Sequence, residues 1–75
     1  MEQTTRVWFY SGYTHAERPK SFIWEGQVQE VEKVESAWRG PDEKCFRVRT
    51  KENRIFELCY RESEDKWSVI ELLTP

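Results

Sequence analysis

The chain has 75 residues, enough for one domain whose core must be dense, because a chain this short buries only about 60–65% of its unfolded surface. Its four Trp, four Phe and three Tyr meet that need, each burying roughly 150–250 Å². Charged residues make up 35% with the signs interspersed and a net charge of −2, which argues against a general polyanion binder; no window approaches the roughly 20 apolar residues of a membrane span, and two cysteines are too few for a disulfide-rich secreted scaffold.

Residues 1–10 include Glu2 and Arg6 and lack the apolar run of a secretory leader. A cytoplasmic location with both thiols reduced is the expectation. Residues 6–10, RVWFY, are rich in β-formers and predict a first strand. Residues 11–20, with Gly12 and Pro19, predict a loop. In SFIWEGQV, Glu25-Gly26 predicts a two-residue turn between strands, because glycine tolerates a positive φ.

Val28, Val31, Val34 and Trp38 are spaced three or four apart. That spacing fits a bulged strand or a helical stripe. Glu, Lys and Ala favour helix, the three valines favour strand, and the Gly26 turn just before makes a strand more natural. The alternative is an α+β fold with a helix near residues 28–38. Residues 39–44, RGPDEK, predict a loop.

The stretch from Cys45 to Tyr60 predicts a hairpin. Phe46 and Val48 alternate with Arg47 and Arg49; Phe56, Leu58 and Tyr60 alternate with Glu57 and Cys59. Directly opposed residues share a face, so the loop must bring the two apolar rows together. A three-residue loop, Lys51-Glu52-Asn53, does so over strands 46–50 and 54–60, and Asn53 suits its left-handed position. Val48 then opposes Phe56, Phe46 opposes Leu58, Arg47 opposes Glu57, and Cys45 opposes Cys59. Directly opposed Cβ atoms lie somewhat farther apart than a disulfide prefers, so no bridge is expected and two free thiols are predicted in reducing buffer. Residues 62–66 form a second polar turn, and 67–73 the last strand, with Trp67 and Val69 on one face. Phe46, Val48, Phe56, Leu58, Trp67 and Val69 are the predicted core. The fold class is all-β: a small single-domain antiparallel meander over residues 1–75, curled into a barrel or a strongly twisted sheet that hides its edges.

ERPKSFIWEG, VEKVESAWRGP and CFRVRT with FELCY and a closing Trp form a diffuse pattern over residues 17–69. It resembles an uncharacterised family of small prokaryotic all-β domains. Members stand alone or form C-terminal tails on proteins similar to Y-family DNA polymerases. The resemblance implies a DNA-repair context and no catalytic residues.

The residues themselves show no catalytic constellation. His15 is the only histidine and sits in a Gly/Pro loop, where a polar loop residue is the common case. Cys45 and Cys59 have no histidine near them in sequence and read as small buried apolar groups. Two Cys and one His cannot alone make a four-ligand zinc site. No phosphate, dinucleotide or metalloprotease motif occurs, and no cofactor is implied. The remaining candidate is a binding face with Arg47 and Arg49 projecting together, Arg39 and Arg54 near, and Trp38 or Tyr13 for stacking. The expected function is a non-enzymatic binding or adaptor module whose partner is another protein. The alternative is a nucleic-acid accessory module using the Arg/aromatic face.

Overall fold

The computed structural model describes residues 3–10 and 18–72. These form seven strands and no helix: β1 (Gln3–Thr5), β2 (Val7–Phe9), β3 (Pro19–Trp24), β4 (Gln27–Arg39), β5 (Glu43–Thr50), β6 (Ile55–Arg61) and β7 (Lys66–Leu72). All pairings are antiparallel, in the order β1-β7-β6-β5-β4-β3-β2. The two ends of that order are consecutive in the chain, so the meander curls into a nearly closed barrel. No helix of the described residues is long and apolar enough to cross a membrane.

The predicted first strand over residues 6–10 is narrower, Val7–Phe9, and a further strand, Gln3–Thr5, precedes it across Arg6. Gln3–Thr5 pairs with β7, and Val7–Phe9 pairs with β3. Side chains close the seam between β1 and β3. The Ile23 amide donates to Thr5 Oγ1 at 3.1 Å and to the Arg6 carbonyl at 3.3 Å. The Thr5 hydroxyl in turn donates to the Ile23 carbonyl. The Glu25 amide donates to Gln3 Oε1 at 3.3 Å.

The predicted loop over 11–20 falls mostly outside the described residues, as do Tyr13, His15 and Leu73 of the last strand. Its end is strand: Pro19 opposes Phe9, and Lys20 is the extra residue of a bulge. Glu25 and Gly26 both have positive φ, 51° and 79°, so the predicted turn is the mirror-image type I′ that matches strand twist. The predicted loop over 39–44 is shorter, because Glu43 and Lys44 join β5.

Residues 28–38 are strand, inside the 13-residue β4. Its register against β5 slips twice, at Glu32 and at Glu35. Each bulge adds one residue to the two-residue alternation of a strand. Val31 and Val34, three apart, therefore both face inward, opposite Thr50 and Val48. The three-residue spacing that mimics a helix is a record of the bulges. Val28 belongs to the other half of β4, where Gln29 turns inward opposite Phe22 and Val28 is exposed. β4 serves β3 with residues 27–30 and β5 with residues 31–39, and the bulges bend it between the two.

The β5–β6 hairpin has the predicted register: Val48 opposes Phe56, Phe46 opposes Leu58, Arg47 opposes Glu57 and Cys45 opposes Cys59. The Thr50 amide bonds the Arg54 carbonyl at 2.8 Å around residues 51–53, and Asn53 has φ 66°. Of the predicted core, Phe46, Val48, Phe56, Leu58 and Val69 are buried, joined by Phe22, Trp24 and Val31. Trp67 is only half-buried, because it lies at one open end of the barrel. Rings cluster at each end: Phe56 meets Phe22 at 4.9 Å and Trp24 at 5.3 Å, while Phe9 meets Phe46 at 6.1 Å and Trp67 at 5.5 Å.

The expectation of free thiols is corrected. Cys45 and Cys59 form a disulfide, with Cα atoms 4.1 Å apart. That separation is close even for the narrow, non-hydrogen-bonded class of antiparallel pair, and it removes the gap assumed from average strand spacing.

Leu58 is fully buried at the centre of this core. Leu58→Ala should cost about 2–5 kcal/mol in urea denaturation, the range for emptying a core leucine site. A loss below about 0.5 kcal/mol would place Leu58 at a surface.

Candidate functional site

The five residues expected on one binding face do not share one. Trp38 opposes Cys45, Arg47 opposes Ser36 and Glu57, and Arg49 opposes Lys33 and Ile55, so Trp38, Arg47 and Arg49 share the outer face. Arg39 and Arg54 have the inward parity and sit at opposite ends of the barrel: Arg39 opposes Lys44, and Arg54 precedes Ile55 on the side of Phe56.

Each of these arginines has an acidic partner. Arg47 meets Glu57 at 3.3 Å, and Arg49 meets Glu35 at 3.0 Å. Arg39 meets Glu62 at 3.1 Å. Arg54 grips Glu71 with two bonds of 2.8 and 2.9 Å, its guanidinium 5.1 Å from the centre of the Phe56 ring. That two-pronged bond holds Glu71 below the usual carboxylate range and raises Arg54 above its ordinary value. Arg47 lies 5.9 Å from the Trp38 ring, so one Arg–aromatic contact is made on the outer face. Only the Nε of Arg49 is buried without a partner among these groups.

The end of the barrel opposite Arg54 is open. Beyond Arg6, β2 stays with β3 while β7 stays with β1. The strands part, and a cavity of about 600 Å³ lies between them, lined by Val7, Phe9, Tyr60 and Trp67 with Arg39 and Glu62 on its rim. Its floor is aromatic: Trp67 is 5.5 Å from Phe9 and 5.2 Å from Tyr60, ring centre to ring centre. The Tyr60 hydroxyl donates to the Asp65 carboxylate, which holds the phenol proton on and raises Tyr60 above its ordinary value. The turns around this end are braced, since Ser63 donates its amide and hydroxyl to the Asp42 carboxylate at 3.1 and 2.6 Å.

One edge of the cavity is backbone. The Arg6 carbonyl accepts from Ile23 of β3, and the Tyr10 amide donates to the carbonyl of Arg18, just before β3, at 3.2 Å. Antiparallel pairing alternates, so Val7 and Phe9 direct their N–H and C=O groups away from β3. On that side β2 has no partner strand among the described residues. Sequence reading placed Tyr60 and Trp67 in the apolar rows but had no signal for the gap beside them, which depends on the change of partner at Arg6.

No family model, curated protein or solved structure matches the chain.

The Arg54–Glu71 pair makes a pH-dependent contribution. Because folding depresses the Glu71 pKa, its stabilisation is present above the unfolded-state value and lost as pH falls through the folded one. Glu71→Gln should be less stable than the parent by about 1 kcal/mol or less at neutral pH, the scale for a part-exposed pair. Thermal melts from about pH 7 down to about pH 3 should show that difference closing below about pH 4.3. A difference that stays constant across the range would show that the Glu71 charge is not what the pair uses.

Proposed function

We propose that this protein is a non-enzymatic binding module that docks an extended segment of another protein along the unpaired edge of β2. The observation that carries the reading is the juxtaposition at the open end. Backbone donors and acceptors of Val7 and Phe9 that meet no partner strand among the described residues lie beside an aromatic floor of Phe9, Tyr60 and Trp67. Strand addition uses these two elements: main-chain bonds supply affinity, and pockets for alternate side chains supply specificity. An incoming strand would place every second side chain over Trp67 and Tyr60, with Arg39 and Glu62 at the rim. The reading includes a cytoplasmic location, in which the Cys45–Cys59 bridge would be held reduced as two thiols.

A second reading, a nucleic-acid accessory module, is favoured by one observation. Trp8 and Tyr10 are exposed on the outer side of β2, and Arg18 and Lys20 lie 5.6 and 5.9 Å from the Tyr10 ring. Cations on an exposed aromatic suit single-strand binding. The outer face of Arg47 and Arg49 supports it less, since both guanidinium groups are already paired. The polymerase-tail resemblance belongs to this reading.

The test is selection of peptides from a displayed library, followed by mapping of amide chemical-shift changes. The proposal expects peptides with alternating apolar residues, and shifts at Val7, Phe9, Tyr60 and Trp67. N-methylation of the peptide backbone at alternate residues should abolish binding. Shifts confined to Trp38, Arg47 and Arg49, or peptides indifferent to N-methylation, would contradict it. Binding of single-stranded oligonucleotides that falls steeply with salt would instead support the second reading.

A further inference from the structure

We propose that Glu43, Cys45 and Cys59, once the disulfide is reduced, form a binding site for a thiophilic divalent cation such as Zn²⁺. Glu43 and Cys45 are two apart on β5 and so project from the same outer face, and Cys59 is the residue directly opposite Cys45 on β6. The carboxylate oxygen and the two sulfurs all lie within 4.8 Å of one another. Bonds of about 2.3 Å to sulfur and about 2.0–2.2 Å to carboxylate oxygen, at tetrahedral angles, put donor atoms about 3.5–3.8 Å apart. Rotation of the Glu43 side chain and opening of the S–S pair would bring the three donors to that spacing. Glu43 takes part in no ion pair among the described residues, although Arg61 is the residue directly opposite it on β6.

The chemistry balances with one co-reactant, a dithiol. It passes two electrons and two protons to the sulfurs and leaves as its own disulfide. Cys59 is the less buried of the two residues and the one a dithiol is expected to meet first. The cation then displaces one proton from each thiol and adds the Glu43 carboxylate. Three protein ligands of combined charge −3 hold it, and the fourth position stays open to water. Two thiolates make the site selective for borderline and soft ions over Mg²⁺ or Ca²⁺. Oxidation removes two of the three ligands at once, so the bound cation and the disulfide exclude each other. Sequence reading counted only Cys and His as ligands and missed Glu43, which strand pairing alone brings to the sulfurs.

The full chain, reduced with a phosphine and kept anaerobic, is titrated with Co²⁺. The expected result is one equivalent bound, with a thiolate-to-cobalt charge-transfer band and the visible bands of a tetrahedral site, both removed by Zn²⁺. The oxidised protein, the same chain with its fold unaltered, should show neither band. Glu43→Gln should keep the charge-transfer band but bind about tenfold or more weakly. Reduced protein that takes up no more Co²⁺ than the oxidised form would overturn the proposal. So would Glu43→Gln binding as tightly as the parent.

Discussion

The N-terminal segment has to complete two sheet edges at once, and the change of partner falls at Arg6. Three residues before it pair with β7 and three after it pair with β3. Where the segment leaves β7, the Thr5 side chain substitutes for backbone: its hydroxyl takes the Ile23 amide and gives to the Ile23 carbonyl. Gln3 does the same for the Glu25 amide. In a chain of 75 residues the alternative would be an open sheet with two unpaired edges and one bare apolar face, too little burial for a stable domain. Both the core and the open cavity depend on where this seam closes and where it stops.

Curvature elsewhere serves the same closure. A 13-residue strand cannot face two neighbours at different angles without bending, and the bulges at Glu32 and Glu35 bend β4 between β3 and β5. The bulge at Lys20 brings Pro19 opposite Phe9. At one end Arg54 and Glu71 cover the Phe56 ring; at the other Trp67 stays half-buried. The charged pairs on the rim are part-exposed and contribute modestly, so the aromatic clusters carry most of the stability.

Local features were legible in the chain. Alternating Phe and Arg against alternating Phe and Glu specifies one hairpin register, because a slip of one residue would turn every apolar side chain to the wrong face. Asn53 and Glu25-Gly26 mark their turns through the φ values they tolerate. The valine spacing carried the bulges, though it could equally describe a helix. Long-range features were not legible. Thr5 and Ile23 are 18 residues apart, and nothing local says that one replaces a backbone partner of the other. The arginines misled for a related reason: parity within a strand is readable, but the bulges of β4 put Arg39 on the inward side and the turn put Arg54 there too. The disulfide is not legible because average strand spacing argues against it, whereas this pair sits at 4.1 Å between Cα atoms.

Amide hydrogen exchange in the free protein tests the split at Arg6 most directly. If the seam closes through Thr5 and then parts, the Ile23 amide should be protected like the core strands. The Val7 and Phe9 amides, two strand residues in the same small sheet, should exchange at least about a hundredfold faster, as free edge groups do. Val7 and Phe9 as slow as Ile23 would show that the β2 edge is covered. An Ile23 amide as fast as theirs would show that the barrel does not close at Thr5.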